Sequence, residues 1–128
     1  LITYIHSKSV ISNNVEIGDN CFILENQTIQ PFVKIGNNVI IWSGNHIGHH
    51  VTIKDHCFVT SHVVISGGVI IEPYCFIGVN STIRDHIIIK EESLIGMGSI
   101  ITKDTQKKGV YLGTPSKLFS EDSSKINI

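Results

Sequence analysis

Histidine is the residue type in this sequence best suited to proton transfer, and it is concentrated in one segment. The chain has 128 residues and seven histidines. Three of the seven, His46, His49 and His50, lie in the run Asn45-His46-Ile47-Gly48-His49-His50. An imidazole is largely an unprotonated base at neutral pH, so one beside a bound substrate can accept a proton from it. This run therefore holds the first candidates for a catalytic group.

The element that must position these histidines is a six-residue repeat. A helix has a period near 3.6 residues and a strand a period of two, so neither explains a period of six. Such a repeat is typical of a parallel β-helix, in which each unit forms one short strand and one turn. The repeated residues are Ile5, Ile11, Ile17, Ile23, Ile29, Ile35, Ile41, Ile47, Ile53, Val59, Ile65, Ile71, Ile77, Ile83, Ile89, Ile95 and Ile101.

Two other positions of the repeat fit a narrow interior. Four residues after the isoleucine the side chain is mostly small or β-branched, with Gln27, Asn45 and Ile87 as exceptions. Glycine often follows the isoleucine, as at Gly48 and Gly78. We interpret these glycines as tight corners where φ is positive.

The pattern resembles the hexapeptide-repeat transferase family, in which three units form one triangular, left-handed coil of eighteen residues. The resemblance implies an all-β fold, a single-stranded left-handed parallel β-helix, over residues 1–104. Residues 105–128 would form a short C-terminal cap and tail. One domain is expected at this length.

Steps of eighteen residues predict which side chains stack on one another. One outward row is aromatic and aliphatic, and consists of Tyr4, Phe22, Ile40, Phe58, Phe76 and Leu94. Such a row rarely remains in contact with water, so we predict self-association through it; a missing neighbouring domain is the alternative. Gly67 falls directly above His49, which would leave open space and bare backbone N–H groups beside that histidine. His6, His56, His62 and His86 are interpreted as solvated turn residues.

Composition excludes several classes of protein. The formal net charge is −1 and 16% of residues are charged, so no basic surface for nucleic acid is expected. No segment is expected to cross a bilayer, and no signal peptide is predicted. Cys21, Cys57 and Cys75 share one inward column, which favours buried, reduced thiols in a cytoplasmic protein.

Four stretches carry a closer resemblance, to the sialic-acid O-acetyltransferase-like group that includes nucleotide-sugar N-acetyltransferases. They are NHIGHHVTI, ISGGVIIEPYCFIGVNSTI, IGMGSIITKD and VYLGTPSK. The resemblance implies an acetyl-CoA-dependent sugar N- or O-acetyltransferase of surface-glycan or lipopolysaccharide biosynthesis, active as a homotrimer without a metal. Such proteins carry an upstream Rossmann-like domain, and no such pattern occurs in this sequence.

The same resemblance assigns roles to residues. His49 falls at the general base, and His50 falls where the family has an acidic residue that orients the base. A neutral imidazole there can accept a hydrogen bond but adds no negative charge. Asn45 and His46 are expected to contact the sugar or tune the base. The residues expected to contact the cofactor are Phe58, Gly67, Gly68, Val79, Met97, Gly98, Lys103, Gly113, Pro115 and Lys117.

Two other functions are weighed against this one. A γ-type carbonic anhydrase shares the fold and binds zinc through three histidines, two of them separated by four residues. No two histidines of this chain have that spacing. A non-catalytic β-helix that serves as a scaffold or binding module is the remaining alternative, favoured chiefly by the departure at His50.

Overall fold

The computed structural model describes residues 1–118 and 120–127, so Phe119 and Ile128 of the predicted tail lie outside the described residues. Almost every repeat contributes a two-residue strand that ends on its isoleucine or valine. In chain order, β1 to β18 are Tyr4–Ile5, Val10–Ile11, Glu16–Ile17, Phe22–Ile23, Thr28–Ile29, Lys34–Ile35, Ile40–Ile41, His46–Ile47, Thr52–Ile53, Phe58–Val59, Val64–Ile65, Ile70–Ile71, Phe76–Ile77, Thr82–Ile83, Ile88–Ile89, Leu94–Ile95, Ile100–Ile101 and Val110–Tyr111.

Three parallel sheets form the sides of a triangular prism. Face A contains β1, β4, β7, β10, β13, β16 and β18; face B contains β2, β5, β8, β11, β14 and β17; face C contains β3, β6, β9, β12 and β15. Partners differ by eighteen residues, as in the pairing of Phe58 with Phe76. The fold is the predicted left-handed parallel β-helix, with about six turns.

The core is a stack of isoleucines enclosed by the three faces. From Ile23 to Ile95, the last residue of each strand is at most 4% exposed. Strand residues alternate between inside and outside, so each two-residue strand buries one side chain and presents the other. The three cysteines are free and buried in the same core. Burial of this apolar surface, at roughly 25 cal/mol per Å², is the main force that holds the coils together.

The corners explain why asparagine and histidine recur in this sequence. A left-handed backbone conformation occurs three residues after the isoleucine, and His50, His56, His62 and His86 all adopt it, with φ between 57° and 63°. Asn and His tolerate this conformation better than most residues. The placement of His56 and His62 at turns agrees with their predicted role as corner residues.

The interpretation of the glycines that follow the isoleucines is wrong. Gly48 and Gly78 are not among the residues with positive φ. A methyl group at Gly48 would lie 2.7 Å from the backbone nitrogen of Gly67, and one at Gly78 would lie 2.6 Å from that of Met97. Close approach of successive coils, rather than a special φ, therefore requires glycine there.

The β-helix continues beyond the predicted boundary at residue 104. β18 pairs with β16 on face A, with Leu94 opposite Val110. Thr105 is buried and its hydroxyl accepts a hydrogen bond from the backbone nitrogen of Lys90 at 2.7 Å. The segment therefore caps the prism with one more partial coil, and a 3-10 helix, Ser123–Lys125, follows. No helix in residues 1–118 and 120–127 is long and apolar enough to cross a membrane.

The predicted outward row lies on face A. Tyr4, Phe22, Ile40, Phe76 and Leu94 are between 36% and 47% exposed. Phe58 is half-buried, because its ring packs edge-on against Trp42 and Phe76 at centroid distances of 4.9 and 5.3 Å. The row is a continuous apolar surface, and its self-association stays a prediction.

Candidate active site

His49 lies at the corner between faces B and C, directly after β8. Its imidazole is exposed and packs onto Gly67 of the next coil. A methyl group at Gly67 would lie 2.7 Å from both the Cε1 and Nε2 atoms of His49. The ring can occupy this place only because Gly67 has no side chain. The eighteen-residue spacing predicted that Gly67 lies above His49 and leaves open space there; in the structure the His49 ring fills much of that space.

The neighbouring histidine orients His49. The two Nδ1 atoms of His49 and His50 are 3.1 Å apart, a hydrogen-bond distance in which the donor depends on the ring tautomers. His50 in turn stacks on Phe32, with centroids 5.0 Å apart and planes 25° apart. The backbone nitrogen of His49 donates to Oε1 of Gln30 at 2.9 Å. Contacts with His50 and with Gln30 of the preceding coil therefore hold His49 in position.

The backbone beside His49 offers a free donor. The backbone N–H of Gly68 donates to the carbonyl of His49 at 2.9 Å. The backbone N–H of His86 donates to the carbonyl of Gly67 at 3.0 Å. Among residues 1–118 and 120–127, the N–H of Gly67 donates to no oxygen. We call the half-buried backbone of Gly67 and Gly68 the glycine notch. An imidazole next to an unused N–H can remove a proton while the amide stabilises a developing oxyanion.

A second imidazole approaches the glycine notch from the following coil. A methyl group at Gly68 would lie 2.7 Å from Cδ2 and 2.9 Å from Nε2 of His86. His86 also pairs with the adjacent carboxylate, its Nδ1 lying 2.9 Å from Oδ2 of Asp85. Sequence reasoning missed this pair because His86 shares its repeat position with ordinary turn histidines. The signal that could have found it is the acidic residue immediately before it, together with the Gly68 one coil away.

Several residues expected to contact a cofactor meet at another corner, between faces A and B at the C-terminal end. A cavity of about 380 Å³ is lined by Met97, Gly98, Gly113, Thr114 and Pro115. An adjoining cavity of about 290 Å³ is lined by Gly98, Ile100, Leu112, Gly113 and Thr114. Four of the predicted residues, Met97, Gly98, Gly113 and Pro115, are thus brought together.

The other predicted residues are distributed around these two corners. Val79 lies one coil before Met97 and accepts a hydrogen bond from the nitrogen of Gly98 at 2.8 Å. Lys103 is exposed on the same corner as His49 and follows β17. Lys117 is exposed beyond the cavity lining. Within one protomer, face B separates the glycine notch from the C-terminal cavity, so these residues form two groups rather than one pocket.

Asn45 requires a correction. Its side chain is 2% exposed and lies inside the coil. The Asn45 Nδ2 donates to the carbonyl of Trp42 at 2.6 Å, and its Oδ1 accepts from the nitrogen of Val63 at 2.7 Å. These bonds leave no part of the side chain for a substrate, so Asn45 is a structural residue. His46 is half-buried on face B, and its contact with a substrate stays a prediction.

Two further features of the surface bear on ligand binding. A groove of about 370 Å³ on face C is lined by Lys34, Thr52, Lys54 and Asp55, among others, and contains no predicted site residue. Within residues 1–118 and 120–127, no three His, Cys, Asp or Glu side chains are grouped closely enough to hold a metal ion.

Comparison with known families gives two adjacent matches. The family of bacterial transferase hexapeptides (six repeats) matches residues 32–67. The family described as the hexapeptide repeat of succinyl-transferase matches residues 68–103. Together the matches cover more than half of the chain and include both His49 and the glycine notch. No curated protein matches the chain at a significant level.

Solved structures share the same coil. A histidine-to-asparagine mutant of perosamine N-acetyltransferase from Caulobacter crescentus, in complex with CoA and GDP-perosamine, has a TM-score of 0.87 at 22% identity, covering 94% of this chain and 58% of that one. PerB from the same organism, with the same ligands, has a TM-score of 0.87 at 24% identity, covering 91% and 56%. An aspartate-to-alanine mutant of AntD, an N-acyltransferase from Bacillus cereus in complex with dTDP and coenzyme A, has a TM-score of 0.82 at 18% identity, covering 95% and 82%.

These similarities establish the fold. The chain spans 58% and 56% of the lengths of the two Caulobacter proteins. The identities are all below 25%.

Proposed function

Because the chain belongs to the hexapeptide-repeat family, we propose that it is an acyl-CoA-dependent acyltransferase that acetylates a nucleotide-linked sugar. The observation that carries the proposal is the position of His49 on the glycine notch. An exposed imidazole, oriented by His50, lies against a backbone with one unused N–H. This is the minimal arrangement for attack on a thioester, since it supplies a base and an oxyanion donor.

The proposed reaction transfers the acetyl group directly from CoA to the sugar, without a covalent enzyme intermediate. The amine or hydroxyl of the sugar attacks the thioester carbonyl while Nε2 of His49 removes its proton. The N–H of Gly67 then donates to the oxyanion as negative charge develops. The tetrahedral species collapses with cleavage of the C–S bond, which releases CoA and leaves the acetyl group on the sugar. General-base assistance of this kind contributes on the order of 10²- to 10⁴-fold.

The donor and acceptor are proposed on the same basis. Acetyl-CoA is the expected donor, and the C-terminal cavity lined by Met97 and Gly113 is the proposed site of its distal part. The acceptor is a nucleotide-linked amino or hydroxy sugar of glycan biosynthesis. The folds of the two Caulobacter proteins, which are bound to CoA and GDP-perosamine, are compatible with this choice. Both substrates are cytoplasmic metabolites, which favours a cytoplasmic reaction.

We propose further that the active form is a homotrimer assembled through face A. The exposed apolar row from Tyr4 to Leu94 supports this, because such a surface is normally covered. The C-terminal cavity lies at an edge of face A, so assembly would also place this cavity next to the neighbouring protomer.

A thiol-release assay tests the function. Acetyl-CoA is incubated with a panel of UDP-, dTDP- and GDP-linked 4-amino-6-deoxy sugars, and free CoA is followed with a thiol reagent. We expect release that depends on one member of the panel and falls by at least about 100-fold in His49→Ala. His62→Asn is the matched control, since His62 is a corner histidine outside the site. A fully active His49→Ala protein would contradict the mechanism.

A further inference from the structure

The glycine notch is flanked by two imidazoles rather than one. His49 reaches Gly67 from the preceding coil, and His86 reaches Gly68 from the following coil. The Cδ2–Nε2 edge of His86 faces the notch, while its Nδ1 is paired with Oδ2 of Asp85 at 2.9 Å. The two rings thus pack on adjacent residues, so a group that binds at the notch would have both imidazoles as neighbours.

The partners of the two imidazoles differ in charge. His49 is paired with a neutral group, the imidazole of His50. His86 is paired with a carboxylate, and the hydrogen bond from His86 lowers the pKa of Asp85 below its ordinary value. The contact with Asp85 occupies Nδ1 of His86, so the other nitrogen of the ring, Nε2, is the one that faces the notch. Arg84, with its Nε 3.9 Å from Oδ1 of Asp85, is the nearest positive group on this segment.

We propose that His86, held by Asp85, is a second catalytic residue that protonates the sulfur of the departing CoA. This inference rests on the proposed function. His49 takes the proton of the attacking amine or hydroxyl, a C–N or C–O bond forms, and the C–S bond breaks. Its electron pair passes to sulfur, which receives the Nε2 proton of His86. Exchange with water afterwards deprotonates His49 and reprotonates His86. The two rings thus divide the roles of base and acid according to their partners.

The test compares two acyl donors. Acetyl-CoA has an alkyl thiolate as its leaving group, so protonation of the sulfur should speed its departure. The leaving group of 4-nitrothiophenyl acetate is an aryl thiolate, which is stable enough to depart without protonation. In His86→Asn, kcat with acetyl-CoA should fall on the order of 100-fold, and kcat with the aryl thioester by less than about threefold. Asparagine is chosen because residue 86 has a φ of 57°, which Asn tolerates. His49→Ala should slow both donors alike, since the base acts on the acceptor.

Two further variants sharpen the comparison. Asp85→Asn keeps a hydrogen-bond partner without the charge, and should lower kcat with acetyl-CoA by roughly tenfold. That loss should vanish in the His86→Asn background, because the carboxylate acts only through the ring. His56→Asn is the matched control: it changes another left-handed corner histidine, which stacks on Tyr74 away from the notch. It should leave both donors unaffected.

Each outcome decides the inference. Equal losses with the two donors in His86→Asn, or no loss with either, would overturn the assignment of His86 while leaving the acyltransferase reaction intact. Turnover with a sugar acceptor shows that the wild-type protein is an acyltransferase. If no acceptor is found, the slow hydrolysis of the two thioesters by the wild type and by His86→Asn is compared instead. A wild-type protein that cleaves neither thioester, with sugar or with water, would overturn the proposed function itself.

Discussion

The contact between His49 and His50 decides which nitrogen of His49 can accept a proton. With the two Nδ1 atoms 3.1 Å apart, only one of them can carry the shared hydrogen. If it lies on His49, then the Nε2 atom of that residue keeps its lone pair and faces Gly67. In that arrangement the imidazole of His50 orients His49, the proposed base. It does so without the negative charge that a carboxylate would add.

Substitutions at His50 separate these contributions. His50→Asn keeps an acceptor and suits the φ of 59°, so kcat should stay within about threefold of wild type. His50→Phe preserves stacking on Phe32 but removes the acceptor. The lost hydrogen bond, about 1 kcal/mol, corresponds to roughly a fivefold fall in kcat. The thiol-release assay measures both, and equal rates for the two variants would show that the Nδ1 contact has no catalytic role.

Gly67 can be tested sterically. Gly67→Ala would place a methyl group 2.7 Å from the His49 ring, which must then move away from the notch. We expect kcat to fall at least about tenfold, as displacement of a catalytic group by an ångström is costly. In the His49→Ala background the added methyl meets no imidazole, so it should leave the melting temperature unchanged. A Gly67→Ala protein with wild-type kcat would mean that the ring position is irrelevant.

Part of the site could be predicted from the sequence. The eighteen-residue step placed Gly67 above His49 because register in a β-helix is the same in every coil. It could not give the direction of a side chain, which depends on the rotamer and on the residue one coil away. His86 shares its corner position with His56 and His62, yet only His86 faces a glycine beside a carboxylate partner. His62 also packs over a glycine, Gly44, but within residues 1–118 and 120–127 no carboxylate pairs with its ring. The repeat position alone therefore does not distinguish His86 from His62.

At the scale of the coil, the interior positions explain what the repeat tolerates. Most residues four positions after the isoleucine are small or β-branched, and Asn45 is not. The sequence predicts Asn45 as part of the site. The structure shows that Asn45 continues a buried polar column with Gln27, whose Oε1 accepts from the nitrogen of Asn45 at 3.2 Å. The sequence shows that the residue departs from the pattern. It does not show whether the polar group turns inward to backbone partners or outward to solvent.

The structural role of Asn45 predicts a loss of stability rather than of binding. Asn45→Ala leaves the N–H of Val63 without its acceptor in the core, which costs roughly 1–3 kcal/mol. Denaturant unfolding should show this loss, with KM for the acceptor unchanged. Ser81→Ala is the matched control: it removes one buried bond to the carbonyl of Gly96, which Ser99 still satisfies. It should destabilise less, and a larger effect than that of Asn45→Ala would contradict the account.

The whole prism was predictable because one signal repeats seventeen times in register. Each isoleucine adds the same inward side chain, so the period alone fixes the strands and their spacing. The end of the helix was less predictable, because β18 departs from the eighteen-residue step. Ile95 pairs with Tyr111, sixteen residues later. Because the last coil is two residues shorter than the others, β18 does not fall on the six-residue repeat and could not be predicted from it.

The predicted cofactor residues lie in two groups within one protomer. His49 and the glycine notch lie at one edge of face B, and the cavity of Met97 and Gly113 lies at the other, where face B meets face A. In the proposed trimer this cavity would lie next to the neighbouring protomer, so we expect cofactor binding, and with it activity, to depend on the oligomer.

A charge in the apolar row tests this dependence. Phe76 lies near the middle of face A, with its ring edge-on to Phe58 at 5.3 Å. Phe76→Glu would require a carboxylate to be desolvated on assembly, a cost of several kcal/mol that should convert trimers to monomers in light scattering. Thr52→Glu puts the same charge on face C beside Lys34 and should leave the trimer intact. We expect Phe76→Glu monomers to keep the β-sheet circular dichroism spectrum yet release little CoA. Monomers that retained full activity would show that one protomer contains the complete site, and a Phe76→Glu trimer would place the interface on another face.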